Sequence, residues 1–342
     1  MTYGVAKFGV VALAVISLQG CALMKSNSDD TIVSPTESAE KAAEGLPLTV
    51  LSDSQANAGA HAPVLAKGAG NSQVEGAAPT VVEVSSLDRS DLKSYPKISI
   101  HLAYAELSLS SGAGFRKGKL KIEKLSGDAD CKIRVIESDK GLEISEPLGK
   151  HGAALSAVLK VRSALPIVSK CRFSIELGLK KAVDTNIELI RGMVSAESWD
   201  EPLHVKLDWG EIDVGTVGSL TVVCGRCTLT GDGIEGPLHY SLETGNVGMA
   251  GLSGTVEGRT LGDTVLKWRK LHSDSTVKLV SRAGDVILFF PESVPLAIDL
   301  KAPHGEVNSR FQTGAHGVPV SVSAELGNVQ VYRATKEAKS VE

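Results

Sequence analysis

The sequence predicts an all-β protein whose main body is a β-solenoid, a parallel β-helix-like stack, closed at its N-terminal end by an irregular β cap. Three observations lead there. From Trp209 to Val331 a short phrase recurs, in which glycine precedes Asp, Glu or Asn and then Val or Ile. From Pro96 onward, runs of alternating apolar and polar residues dominate, the period of a half-buried strand. No stretch shows sustained helical spacing with caps, and a composition of 35 glycines with only 4% aromatic residues suits short strands and tight turns. An antiparallel β meander or sandwich, with Gly-Asn and Gly-Asp as hairpin turns, is the alternative reading.

The chain begins with an export signal. Lys7 supplies a positive start, and Phe8 to Leu18 is an 11-residue apolar run, too short to cross a bilayer, which takes about 20 residues. Leu18-Gln19-Gly20-Cys21 follows. It resembles the lipobox of bacterial lipoproteins, although Gln19 departs from the small or β-branched residue usual there. The resemblance implies a signal peptide over residues 1–20 and a Cys21 that becomes the first residue, carrying fatty acyl chains on its sulfur and its new amine. Two or more chains anchor a protein stably where one does not. Ala22 stands where Asp would resemble an inner-membrane retention signal, so the outer membrane is favoured, on its periplasmic or its external face. Residues 21–95 are rich in Ser, Ala, Gly, Pro and acids and lack periodicity. They read as a disordered tether, with brief apolar patches at Leu48–Leu51 and Val81–Val84.

The folded domain is expected over 96–335, with a short tail at 336–342. Strands are read at Lys97–Leu102, Gly118–Ile122, Cys131–Val135, Leu155–Val161, Arg172–Leu177 and Asn186–Ile190, as a cap over the solenoid's N-terminal edge. Ala153–Val161 is the best helix candidate, but its alternation of Leu159 and Val161 with Lys160 and Arg162 favours a strand. The repeat glycines fall at 210, 225, 245, 262, 284, 305 and 327, stepping by 15, 20, 17, 22, 21 and 22 residues. A fairly constant return distance of this size is a repeat architecture's signature. Before Gly210 the apolar positions Leu203, Val205, Leu207 and Trp209 alternate up to the preceding residue, as do Leu220, Val222 and Cys224 before Gly225, and Val277 and Leu279, then small Ser281 and Ala283, before Gly284. After each glycine they sit two and four places on. The inward positions are therefore glycine minus one and glycine plus two. The glycine and its polar neighbour make a corner, where glycine reaches positive φ without strain.

Over residues 96–335, most clearly 200–332, this pattern resembles a bacterial family of unknown function described as an adhesin-like, autotransporter-head-like β-strand repeat domain. The resemblance implies an envelope-associated β-helical domain and brings no catalytic residues with it. The Gly225-Arg226-Cys227 and Gly262-Asp263-Thr264 copies depart from the motif.

Cys224-Gly225-Arg226-Cys227 is the sharpest chemical candidate. A redox pair needs a helix N-terminus to stabilise the thiolate, and both flanks here are strand-like. A zinc site would need Cys131 and Cys171, whose separation lacks paired metal-ligand spacing. In an exported chain, structural disulfides are the favoured reading. Four cysteines allow three pairings, of which we choose Cys131–Cys171 and Cys224–Cys227. Gly231–Gly236 matches a dinucleotide fingerprint but precedes an alternating strand, not a helix. Ser275 and Lys278 match a serine–lysine motif without its partner motifs. The corner acids Glu211, Asp263, Asp285 and Glu306 could stack as a carboxylate ladder for calcium or glycan chemistry, although turn preference alone accounts for them, with Asn246 and Asn328 in the same slot. His304, at a corner, reads as structural.

The formal net charge of −4, with no basic stripe interleaved with aromatics, argues against a nucleic-acid partner. The expected function is a monomeric cell-envelope lipoprotein presenting a non-catalytic binding or structural module, with the lipid bilayer and an envelope glycan or protein as partners. No cofactor or metal is called for. The alternatives are a β-helix polysaccharide lyase or hydrolase, and a thiol redox protein acting through Cys224 and Cys227.

Overall fold

Alternation becomes strand throughout the computed structural model, which describes residues 79–147, 170–311 and 316–334. Cys21, the signal segment, the Leu155–Val161 strand and the 336–342 tail lie outside the described residues. Among those described, every regular element is a strand.

The cap comes first. β3 (Lys97–Ser111) buries Ile98, Ile100, Leu102, Ala105, Leu107 and Leu109. One edge of β3 pairs in parallel with the start of β8 (Asp184–Asp232), from Lys97↔Asp184 to Leu109↔Ala196. Its other edge is shared. The first half pairs in parallel with β6 (Gly141–Ser145) and the second with β7 (Arg172–Leu179). From there the pairing turns antiparallel. β6 leads to β5 (Ile133–Ser138) and β1 (Thr80–Val84); β7 leads to β4 (Gly118–Ser126) and β2 (Ser86–Leu92). A bridge between Cys131 and Cys171 ties the approach to β5 to the start of β7.

β1 and β2 lie inside the stretch expected to be tether, so the folded body includes Thr80–Leu92, ahead of the expected start at residue 96. Residues 80–92 cannot build a core alone, but they need not. They add to edges supplied by residues 118–137, with Leu92 and Tyr95 buried. The Tyr95 hydroxyl donates to Glu137 (2.6 Å), which also pairs with Arg89.

β8 then winds through the first coils as one extended run. Its later part and the strands that follow stack into two parallel sheets joined at a corner. The first sheet continues through β9 (Leu238–Thr244), β11 (Val256–Thr260) and β13 (Val277–Ser281). The second continues through β10 (Val247–Ser253), β12 (Thr264–Lys270) and β14 (Val286–Phe290). Their inward side chains fill the space between, with Trp268 stacked on Phe290 at 4.4 Å between ring centres.

The last two coils depart from chain order. β17 (Val318–Ala324) and β18 (Val329–Arg333) lie directly on β13 and β14. β15 (Leu296–Lys301) and β16 (Val307–Ser309) stack outside them and form the end of the solenoid. Burial explains the choice. Val318, Val320, Val322, Ala324, Val329 and Val331 are all buried, whereas β16 is exposed along its length, so the more apolar coil takes the inner place.

Candidate functional site

The corner between the two sheets carries the residues singled out by the repeat, and its register differs from the one read in sequence. A Cβ on Gly210 would drive into the Gly192 carbonyl, one on Gly245 into Cys227, and one on Gly262 into Gly245. The series continues through Gly284 and Gly327 and ends at Gly305. The stacked position is therefore 192, 210, 227, 245, 262, 284, 327 and 305. Gly225 is not in it; it lies over the Asp208 carbonyl, and Cys227 takes the corner place. Gly192 belongs to the series although the sequence reading missed it. The inward run also stops short of glycine minus one, at Leu189, Leu207, Cys224, Leu242, Ser281 and Ala324, each three residues before its corner position. Residues at glycine minus one face out. Trp209 is 50% exposed, and Ala283 is exposed as well. The physical reason is that the corner uses three residues to change direction, which shifts the alternation by one.

In the later coils the residue after the corner glycine forms a hydrogen-bonded ladder. Asn246 Oδ1 accepts the Asp263 N–H (3.0 Å) and Asp263 Oδ1 accepts that of Asp285 (2.9 Å). Asp285 Oδ1 accepts both the N–H (2.7 Å) and the side-chain amide (3.1 Å) of Asn328, whose Oδ1 accepts the Glu306 N–H (2.9 Å). The ladder follows spatial order, not chain order. The corner acids do stack, and Asp263 and Asp285 each commit an oxygen to a backbone N–H of the next coil. Without these carboxylates the corner N–H groups would be left to solvent and the coils would lose this link. Glu211 lies in an earlier coil, outside the ladder.

Cys224 and Cys227 are joined by a disulfide across the corner, and both are buried. Strand continues on either side, so no helix terminus is present to stabilise a thiolate. Gly231–Gly236 runs from the end of β8 into β9, with Ile234 bridged to Val217. Ser275 is buried in a turn, whereas Lys278 points outward to Glu257 (3.4 Å).

The earlier coils carry a different row at the same corner. The registers Tyr104↔Arg191 and Ala105↔Phe173, together with the Gly192–Gly210 and Asp208–Gly225 stackings, place five side chains in line: Arg172, Tyr104, Arg191, Trp209 and Arg226. Cations and aromatic rings alternate. Arg172 lies over Tyr104 at 4.8 Å, Arg191 lies 5.7 Å from the same ring, and Arg226 lies over Trp209 at 4.7 Å. Arg172 pairs with Glu106, which raises its pKa further. Arg191 and Arg226 make no ion pair among the described residues. Sequence reasoning missed this row because its members lie far apart in the chain. Only the corrected register aligns them. Beside it, on the outer face of the second sheet, lies an open groove of about 440 Å³ lined by Ser195, Glu197, Asp213, Gly215, Gly231 and Asp232.

No protein-family model matches the chain, and comparison with curated proteins finds no match. Similar solved structures include a candidate cell-adhesion protein from Clostridium sporogenes (16% identity, 75% of this chain and 100% of that one, TM-score 0.24). Others are a candidate adhesin from Bacteroides fragilis (9%, 75% and 98%, TM-score 0.22) and a candidate lipid-binding protein from Parabacteroides distasonis (11%, 76% and 98%, TM-score 0.23).

Proposed function

We propose that this chain is a lipid-anchored cell-envelope protein, held at the outer membrane through Cys21, whose solenoid acts as a monomeric, non-catalytic binding module. The observation that supports it best is the row of arginine and aromatic side chains along the early corner, half-buried at Arg172 and Tyr104 and exposed at Arg191, Trp209 and Arg226. Trp, Tyr and Arg are the residues that dominate recognition surfaces, because they offer large contact area and directed donors with little entropy to lose. The row stands on a rigid sheet scaffold, where a binding surface is held in place. The polysaccharide-cleaving alternative relied on the corner acids, and two of these, Asp263 and Asp285, are engaged in holding one coil to the next.

Two experiments test the reading. Metabolic labelling with a fatty acid should mark the full chain and not Cys21→Ala, which should also leave the membrane fraction; an unlabelled, soluble wild-type chain contradicts the anchor. Screening the detergent-solubilised full chain against envelope glycans and proteins should yield a ligand that is not cleaved. Cleavage of a bound glycan, or no ligand at all, contradicts the module.

A further inference from the structure

We propose that the row Arg172–Tyr104–Arg191–Trp209–Arg226 binds a linear anionic polysaccharide carrying one acidic group on every second sugar. This rests on the binding-module reading and names its ligand.

Geometry gives the spacing. Neighbouring strands in a parallel sheet lie about 4.8 Å apart. The arginines occupy alternate strands of the row, so their guanidinium groups recur at roughly 10 Å along the stack axis. That is about the length of two pyranose rings in an extended chain. The aromatic rings between them brace the arginines. A guanidinium stacked on a ring keeps its in-plane N–H donors free for a carboxylate or sulfate and loses little entropy on binding. Arg172 already holds Glu106, which leaves Arg191 and Arg226 as the principal anion contacts, with Trp209 between them.

The shape selects the ligand class. The row is one residue wide and follows the long axis of the stack, as a linear polymer does and a membrane surface does not. Single-stranded nucleic acid is held by bases stacking on open aromatic faces. Here guanidinium groups lie over the rings of Tyr104 and Trp209. The chain's formal net charge of −4 adds a general repulsion that only a local cationic row overcomes.

The test uses the detergent-solubilised full chain and four probes: hyaluronan, with one carboxylate per two sugars; polygalacturonate, with one per sugar; dextran, which is neutral; and phosphatidylglycerol vesicles. Hyaluronan should bind at least tenfold more tightly than dextran or vesicles, more tightly than polygalacturonate, and less well as salt rises. Arg191→Gln with Arg226→Gln should lose at least tenfold at an unchanged melting temperature. Arg191→Lys with Arg226→Lys should fall between, because lysine keeps the charge but not the stacked fork. Each single Gln variant should show a smaller loss, which covers the case in which the double variant misfolds. Equal binding of polygalacturonate overturns the spacing. Binding of any probe or envelope protein that the Gln variants leave unchanged overturns this ligand assignment and leaves the module standing. A wild-type chain that binds neither these probes nor any envelope glycan or protein overturns both.

Discussion

One corner of the solenoid is built in two ways. In the later coils the residue after the corner glycine is Asn, Asp or Glu, and its neighbours before the glycine are Thr244, Leu261, Ala283, Leu326 and His304. Side-chain oxygens there are spent on backbone N–H groups of the next coil. In the early coils the residue after the corner position is Met193, Glu211 or Thr228, and the residue before it is Arg191, Trp209 or Arg226. The early half is held by a disulfide and presents cations outward; the late half holds itself together through its turn residues. The same backbone position thus serves stability in one half and exposure in the other. A repeat motif alone cannot separate these roles.

Breaking the shared backbone should have the largest effect. Gly245 has φ of +129° and no room for a Cβ against the Cys227 carbonyl. Gly245→Ala should cost about 3 kcal/mol or more, a strained conformation added to a backbone clash. Gly248, three residues on, faces open space, and Gly248→Ala should stay within about 0.5 kcal/mol. Denaturant titration of both variants checks the contrast. Next comes the late half: Asp285→Ala leaves two Asn328 donors without their acceptor and should cost about 1–3 kcal/mol. Asp285→Asn, which keeps an acceptor oxygen, should recover most of that in the same titration.

The early half should respond on a similar scale to the late half and less than the Gly245 backbone. Replacing Cys224 and Cys227 by serine opens a short loop, whose chain-entropy contribution is about 2 kcal/mol. Thiol titration of the denatured, unreduced chain should find no free thiol at these positions; two or more free thiols would remove the bridge from the account. The smallest effect lies off the corner. Glu146 accepts the Ala103 N–H (3.3 Å), and burial raises its pKa above the usual carboxylate value. The folded chain therefore holds this proton to higher pH than the unfolded chain. Its contribution to stability is full below the unfolded pKa and is lost as pH rises through the folded one. Glu146→Gln should raise the melting temperature slightly at neutral pH and flatten its fall between acidic and neutral pH. A steeper fall contradicts the assignment.

Much of the architecture was legible because burial writes itself into alternation. Strands β3, β4, β7 and the β13–β14 coil follow directly from period two, and the corner follows from the glycine phrase. Three features were not legible, for physical reasons. Val81–Val84 and Ser86–Leu92 join sheets through partners about 25–55 residues away in sequence, and no local pattern records that. The exchange of the last two coils depends on comparing the apolar content of two strand pairs. The arginine–aromatic row depends on register across β3, β7 and β8, where an error of two residues at Gly225 hides Arg226 beneath the wrong neighbour. Trp209 reads as inward from sequence because an aromatic that ends an apolar alternation looks like core until the corner's extra residue is counted.

Trp209 now gives the most direct test. If it braces Arg226 for an anionic ligand, Trp209→Ala should weaken hyaluronan binding about two- to fivefold, the equivalent of one exposed cation–π contact. Trp209→Phe should restore most of the affinity, and the melting temperature should hold in both variants, because the ring lies outside the core. Unchanged affinity with Trp209→Ala, or a large loss of stability, would contradict the claim that the early corner is a binding surface.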